Sequence, residues 1–267
     1  MINLNELNIW KKLTSPYGNS EDIPSLILEL SKTEKKEIAD ELVWEYIYHQ
    51  GSIYENTLAT TPHLLKIISE SDDNNFKLDI ISSLGVVFID IDENYNFNNF
   101  FEESAVNNIV KNRIKLAFLE SLKEFRIIVE SLFNSLNNLN EESKIFFLIA
   151  ALVSQKKHQE AELFKTFNQN DEYVFTCTSC KEETFLWNEE NTLNAYKEDP
   201  IFNKKQKTIK VSQSNSSTKL KWLEDLINKI NISSLKPLLP YFKGNILCHN
   251  CSKETNIFNG IMKSIYN

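Results

Sequence analysis

Residues 104–136 read SAVNNIVKNRIKLAFLESLKEFRIIVESLFNSL and contain neither glycine nor proline. Their apolar side chains recur every three or four positions, the spacing that places them on one face of an α-helix. The residues that keep this phase are Ala105, Ile109, Ile114, Phe118, Leu122, Phe125, Ile128 and Leu132. The stretch therefore predicts one long helix, or two abutting helices, and favours a mostly helical protein.

The composition of the whole chain supports the same fold class. Only 5 glycines and 6 prolines occur among 267 residues, where average usage gives roughly 19 and 13. Doubly wound nucleotide-binding folds, β-sandwiches and β-barrels need many turn residues, so this scarcity argues against them and favours long helices. A chain of this length buries about three quarters of its unfolded surface, and so it needs no metal or disulfide merely to form a core.

Residues 33–70 predict a pair of helices joined by a turn. The first helix ends before Gly51, which we interpret as a helix stop. The second contains Pro62, which either kinks the helix or begins its regular part. Such a pair approaches the ~40-residue period of HEAT repeats, although no second copy aligns with it. We therefore expect residues 1–169 to form a HEAT-like α-solenoid, with an irregular helical bundle as the alternative.

The character of the sequence changes near residue 170. Segments 172–177 and 183–187 are rich in β-branched and aromatic residues and predict a β-hairpin. Residues 170–267 thus predict a small α+β module that carries a polar insertion at about 188–218. The insertion contains a lysine cluster, which we interpret as a solvated loop in preference to an RNA site: Lys204, Lys205, Lys207 and Lys210.

All four cysteines fall into two Cys-x-x-Cys pairs, Cys177 with Cys180 and Cys248 with Cys251. This spacing lets both thiolates of a pair reach the same metal ion, and two pairs complete a tetrahedral Cys₄ site. Residues 181–247 form a far longer gap than the roughly 15–20 residues usual between such pairs, so they must loop out and return. We predict one structural Zn²⁺ per chain, with no open position for catalysis.

Two disulfides, a redox-active pair and free thiols are the alternatives for these cysteines. Structural disulfides are disfavoured in the cytoplasm, where we expect this chain. Its N-terminus has no basic and apolar leader, and its longest apolar run, 146–153, is shorter than the about 20 residues of a membrane span. A redox pair needs a βαβ setting, which the pattern does not predict. We expect His249, inside the second pair, to point away from the metal.

A second signal lies in residues 44–54, WEYIYHQGSIY, followed by ATTPHLL at 59–65. Here the sequence resembles HEAT-like bacterial helical proteins that combine a tryptophan, a His-Gln-Gly turn, a tyrosine and a proline in the next helix. The two Cys-x-x-Cys pairs also resemble that group, some of which are similar to immunity or accessory proteins of secreted toxins. The resemblance covers residues 38–70 and, more loosely, the cysteine region. It implies no particular activity.

Polar and aromatic side chains of this motif are candidates for a partner-binding patch. They are Trp44, Tyr48, His49, Gln50, Tyr54 and His63. The structural alternative is that Tyr48 and His49 seal the helix turn, with His49 at the C-terminal end of the helix dipole. Glu45 and His49 lie four positions apart, which without a third ligand indicates a surface pair.

The net charge limits the function classes. The chain carries −8 at pH 7, from 29 basic and 37 acidic residues, whereas a protein that binds duplex nucleic acid is usually basic. We therefore expect a non-enzymatic protein-binding scaffold whose acidic helical face captures a basic, toxin-like partner, with no membrane involved. One alternative is an enzyme with its site in a groove between His49 and His63. The other is a nucleic-acid-associated zinc protein.

Overall fold

The computed structural model describes residues 1–18, 20–166, 172–189, 192–203, 206–215, 218 and 220–266. Helices hold 56% of these residues, so the prediction of a mostly helical chain is confirmed. The described part also contains three small antiparallel sheets. HEAT-like stacking of the helices stays a prediction.

The chain divides into two compact units. The first comprises Met1–Asn138 and Ile149–His158, and the second comprises Leu139–Leu148 and Gln159–Asn267. The predicted boundary between residues 169 and 170 falls outside the described residues and stays a prediction. No helix in the described ranges is both long enough and apolar enough to span a membrane.

The first unit is built from helices joined by short connections. They are α1 (Leu7–Trp10), α2 (Ile23–Thr33), α3 (Lys36–Asp40), a π-helix (Glu41–Ile47), α4 (Glu55–Glu70), α5 (Asn74–Val87), α6 (Phe97–Phe100), α7 (Asn108–Leu132) and a 3₁₀-helix (Phe133–Asn138). Helices α8 (Glu141–Ser154) and α9 (His158–Thr166) follow, and the division between the units falls within each of them.

The turn predicted between the two helices of residues 33–70 is a small hairpin. Strands β1 (Tyr48–His49) and β2 (Ser52–Ile53) pair antiparallel, with His49 opposite Ser52. Gln50 and Gly51 both have positive φ, 49° and 78°, as the two central residues of a type I′ turn require. Gly51 is therefore a hairpin residue, and its prediction as a helix stop was wrong. Pro62 lies in the interior of α4, which begins well before it.

The long helix predicted from residues 104–136 is confirmed as α7 and the 3₁₀-helix after it. The side chain of Asn107 accepts a hydrogen bond from the N–H of Val110 at 3.1 Å and so caps α7. The buried face of α7 packs along α4 and includes Ile114, Phe118 and Phe125. Ile109 was expected on that face but is 74% exposed.

Helix α4 is buried along almost its whole length, although much of its sequence is polar. Its buried polar residues are Glu55, Asn56, Thr57, Thr60, Thr61 and His63. Several of these side chains form hydrogen bonds with backbone groups of preceding segments, and buried polar atoms need such partners. A carboxylate oxygen of Glu55 accepts from the N–H of Thr14 at 3.0 Å, and the Thr57 hydroxyl donates to the Ile47 carbonyl.

His63 is the buried imidazole of α4. Its Nε2 lies 3.0 Å from the carbonyl oxygen of Ile2, a contact that needs the proton on Nε2, and its ring centroid lies 6.0 Å from that of Trp10. Burial lowers the pKa of His63 from 6.5 to about 4, with a smaller contribution from Lys66 in the same direction. The imidazole is therefore neutral in the folded protein at pH 7.

Helices α5 and α8 approach each other closely at Gly85. A Cβ atom on Gly85 would lie 2.6 Å from both the Cα and the Cβ of Ala150. Side chains cannot relieve such a contact, because one of the two opposing atoms belongs to the backbone of α8. Gly85 therefore sets the distance between these two helices.

The second unit combines small sheets with short helices. Its elements are β3 (Tyr173–Thr176), β4 (Glu183–Glu189), β5 (Thr192–Tyr196), α10 (Lys221–Ile230), a 3₁₀-helix (Lys236–Leu238), α11 (Leu239–Lys243), β6 (Asn245–Leu247), β7 (Glu254–Asn256) and α12 (Ile257–Ile265). Strands β3, β4 and β5 form one antiparallel sheet in that order, and β6 pairs with β7. Helix α12 packs on β3, where a Cβ on Gly260 would lie 2.2 Å from the ring of Phe175.

The predicted polar insertion at 188–218 contains more regular structure than a loop. It includes the end of β4 and all of β5, whose Leu193 and Ala195 are buried. Isolated bridges join Ile209 to Ala195 and Val211 to Ile246. Of the lysine cluster, Lys207 and Lys210 are exposed, whereas Lys204 and Lys205 lie outside the described residues.

The close approach at Gly85 predicts that Gly85→Ala destabilises the first unit by up to about 2 kcal/mol. Alanine improves helix propensity by about 1 kcal/mol, but forcing a methyl group into a filled contact costs about 1–3 kcal/mol. Urea unfolding followed by circular dichroism measures the difference. Ser82→Ala, on the same helix, is the control and should shift stability by less than about 0.5 kcal/mol. A stabilised Gly85→Ala variant would contradict this packing.

The buried imidazole predicts a pH dependence. An unfolded histidine binds a proton below pH ~6.5, whereas folded His63 resists protonation down to about pH 4. The free energy of unfolding should therefore fall by about 2–3 kcal/mol between pH 7 and pH 4.5 through this group. His63→Gln keeps a donor toward Ile2 and removes the titration. Urea unfolding at both pH values should show a smaller loss for the variant, and equal losses would contradict the prediction.

Candidate metal centre

Each Cys-x-x-Cys pair lies at the tip of a β-hairpin. The first pair connects β3 to β4, with Thr176 opposite Glu183. The second connects β6 to β7, with Leu247 opposite Glu254. Each hairpin thus presents two cysteines in the turn immediately beyond its last paired residues.

The two turns have the same hydrogen bonds. In the first, the N–H of Cys177 donates to the Glu182 carbonyl at 2.9 Å, and the N–H of Lys181 donates to the Cys177 carbonyl at 3.0 Å. In the second, the N–H of Cys248 donates to the Lys253 carbonyl and the N–H of Ser252 to the Cys248 carbonyl, both at 3.0 Å.

The residue after each Cys-x-x-Cys pair has a left-handed backbone conformation. Lys181 has φ of 64° and Ser252 has φ of 57°, a conformation that costs a residue with a side chain about 1–2 kcal/mol. This backbone turns the chain back into the second strand of the hairpin. Two segments with unrelated sequences therefore form the same turn and present their sulfur atoms in the same way.

The two turns meet, and their four sulfur atoms form one cluster. All four Sγ atoms lie within 4.8 Å of one another. The Sγ atoms of Cys177 and Cys251 are 3.7 Å apart, and those of Cys180 and Cys248 are 3.6 Å apart. Bonds of about 2.3 Å to one tetrahedral ion would place sulfurs about 3.8 Å apart. The prediction that the two pairs lie adjacent is confirmed, and the geometry is compatible with a single metal ion.

The cluster consists of thiols and not of disulfides. All four cysteines are free, and sulfur separations of 3.6 Å and 3.7 Å are far above the about 2.05 Å of a disulfide bond. Cys177 and Cys248 are buried, and Cys180 and Cys251 are half-buried. Within the ranges described, this is the one group of three or more histidine, cysteine or acidic residues placed to hold an ion.

The four thiols have unequal tendencies to ionise. Burial raises the pKa of Cys177, but the N–H groups of Cys180 and Ser179 and the neighbouring thiols lower it to about 6. At Cys251 the N–H of Lys253 lowers the pKa, whereas the neighbouring thiols and burial raise it to about 11. The negative charge of the first thiolate therefore opposes ionisation of the other thiols. Four thiolates in one cluster need a cation to balance their charge.

Polar side chains lie next to the sulfur cluster. The amide nitrogen of Asn250 lies 3.8 Å from Sγ of Cys180, and the hydroxyls of Thr178 and Thr255 are 3.1 Å apart. His249 points away from the sulfurs, as expected, because its Nε2 lies 3.2 Å from a carboxylate oxygen of Glu182. The sulfur cluster accordingly contains four thiols and no imidazole.

Two of the six predicted partner-binding residues are buried. Tyr48 and His63 are each only 6% exposed, so neither is available to a partner. Trp44, His49 and Tyr54 are half-buried and Gln50 is exposed. Partner binding by these residues stays a prediction.

His49 and His63 have different neighbours. Nδ1 of His49 lies 3.4 Å from the Trp44 carbonyl oxygen and 3.8 Å from a carboxylate oxygen of Glu45, as a residue that seals the helix turn does. His63 contacts Ile2 and Trp10 instead. No hydrogen-bond partner in the described ranges is common to both imidazoles.

The structure brings to His49 one side chain that the sequence did not indicate, that of Tyr17. The hydroxyl of Tyr17 donates to a carboxylate oxygen of Glu45 at 2.6 Å, and the Tyr17 ring contacts both His49 and Tyr46. Tyr17 precedes Gly18 in an irregular segment, so no periodicity in the sequence could have linked it to residues 45–49.

Comparison with known proteins supplies no identification of this chain. It matches no protein-family model, no curated protein and no solved structure. The resemblance to HEAT-like proteins therefore stays a prediction, and the function must be argued from the arrangement of the residues.

Proposed function

We propose that the chain is a non-catalytic protein-binding protein whose C-terminal region is held together by one structural Zn²⁺. The ligands are Cys177, Cys180, Cys248 and Cys251. One observation supports the metal above all: four sulfurs from two hairpins lie within 4.8 Å of one another.

Zinc is the metal that best suits this ligand set. Soft thiolates in a tetrahedral arrangement select zinc or iron–sulfur chemistry over magnesium, calcium or manganese. Zinc bound by four cysteines has no open position for water or substrate, and such sites are structural. A reducing compartment such as the cytoplasm keeps the thiols available for the ion.

The charge of the chain supports a basic protein as the partner. At −8, it repels nucleic-acid phosphates and attracts a cationic surface. A cognate toxin is the kind of partner that the resemblance to immunity and accessory proteins implies. A metal with all four positions occupied by cysteine would stabilise the scaffold and leave recognition to protein surfaces.

Removing one ligand should release the metal. Protein purified without chelators should contain about one zinc per chain by elemental analysis, and Cys248→Ser should contain nearly none because three thiolates hold zinc less tightly. Ser179→Ala is the matched control, since Ser179 lies inside a Cys-x-x-Cys pair with an exposed side chain. It should retain the zinc. Wild-type protein without metal, or with iron in place of zinc, would contradict the assignment.

Loss of zinc should also loosen the second unit before the first. Limited proteolysis of Cys248→Ser should begin within residues 172–266, because the two hairpins are no longer cross-linked. Ser179→Ala should be digested like the wild type. First cleavage of Cys248→Ser within residues 1–138 would contradict a structural role for the site.

The partner is tested by capture from the native host followed by binding kinetics. If attraction between opposite charges steers association, the association rate should fall by about an order of magnitude between about 0.01 M and 1 M salt. The dissociation rate should change less over the same range of salt concentration. An acidic partner, or an association rate independent of salt, would contradict the proposed function.

A further inference from the structure

Four side chains of the first unit form what we call the Tyr17 cluster: Tyr17, Glu45, Tyr46 and His49. The ring centroid of Tyr17 lies 6.3 Å from that of Tyr46 and 5.6 Å from that of His49. Its hydroxyl is fixed by the 2.6 Å hydrogen bond to Glu45. Tyr17 is 62% exposed, and the side chain of Glu45 is 52% exposed. Tyr17 and Glu45 therefore face solvent, whereas Tyr46 and His49 are half-buried.

A π-helix positions three of these residues. Glu45 and Tyr46 lie near the end of Glu41–Ile47, and His49 is the second residue after it. The wider π-helical turn is uncommon and often occurs at functional sites. Here it places a carboxylate and two rings around the side chain of Tyr17.

The cluster lies in a region of uncompensated negative charge. The pKa of Tyr46 is raised, first by burial and then by the carboxylates of Glu41, Asp22 and Glu45. Among the described residues, no lysine or arginine lies within ion-pair distance of these three carboxylates. Lys11 is paired with Glu21 at 3.0 Å. The exposed ring of Tyr17 and the half-buried ring of Tyr46 thus lie near carboxylates that no lysine or arginine of the described residues pairs with.

We infer that the Tyr17 cluster binds an arginine side chain on the surface of the basic protein partner. The inference rests on the proposed function and names the chemistry of its contact. A guanidinium can lie against the faces of tyrosine rings and donate paired hydrogen bonds to a carboxylate. Tyr17, Tyr46 and Glu45 supply those groups within one cluster. Lysine offers a single, more strongly hydrated charge and fits this arrangement less well.

The test uses an acetylated, amidated tetra-arginine peptide as the probe. Chemical shifts of ¹³C-labelled tyrosine rings follow its titration into the wild-type protein. The peptide should move the Tyr46 signals saturably, and the tetra-lysine peptide should bind more weakly. A citrulline peptide, which has similar shape without charge, should not bind. Binding of citrulline equal to that of arginine, or the absence of arginine binding, would overturn the inference.

Variants then locate the binding site. Tyr17→Leu should weaken arginine-peptide binding roughly threefold, the contribution of a cation–π contact at an exposed position. Glu45→Gln should weaken it roughly tenfold, because it removes the charged acceptor. Both positions are substantially exposed, so circular dichroism should show an unchanged fold.

Glu70→Gln is the matched control. It removes one negative charge from the same unit, at the last residue of α4. Tyr54 lies near Tyr17, since it helps to raise the pKa of Tyr17, and it directly precedes the first residue of α4. A helix of this length spans about 24 Å, so binding should remain within about twofold of wild type. Equal weakening by Glu45→Gln and Glu70→Gln would show only general attraction by charge and would overturn the inference. A salt-insensitive or acidic natural partner would instead count against the proposed function, while the peptide comparison would still decide the chemistry of the cluster.

Discussion

The second unit depends on one constraint: two hairpins must bring four sulfur atoms within 4.8 Å of one another. Residues 181–247 lie between the two Cys-x-x-Cys pairs, so the cluster closes a long loop. Cross-linking a loop of this size removes about 4 kcal/mol of unfolded-chain entropy. Backbone N–H groups favour one thiolate, but each thiolate formed disfavours the next. A bound cation would balance the charge of these thiolates and so allow the four sulfur atoms to stay together.

The first unit is held together differently. Its central helix, α4, is polar and buried, and carbonyl and N–H groups from segments before it satisfy Glu55, Thr57 and His63. These directional bonds fix the segments that lead into α4. The π-helix is one of them, and it contains Glu45 and Tyr46 of the Tyr17 cluster. A surface that recognises a single charged group needs such support, because binding to an ordered site loses less conformational entropy.

Strong local patterns in the sequence predicted the structure well. Contacts between distant segments were not predictable, except where the two Cys-x-x-Cys pairs indicated a shared metal ion. The period of residues 104–136 gave α7, and the two Cys-x-x-Cys spacings gave the sulfur cluster. The burial of His63 depends on Ile2 and Trp10, which no pattern connects to α4. Gly51 looked like a helix stop because a π-helix before a type I′ turn has no strong local signature. The contacts of Tyr17 with Glu45 and His49 are visible only in the folded structure.

The most direct test of the central claim is X-ray absorption at the zinc edge of protein purified without chelators. The account predicts a single shell of four sulfur atoms at about 2.3 Å. Cys248→Ser should lose this signal, and Ser179→Ala should keep it. A shell containing nitrogen or oxygen in place of sulfur, or the absence of bound zinc, would contradict the claim that these four cysteines form a closed structural site.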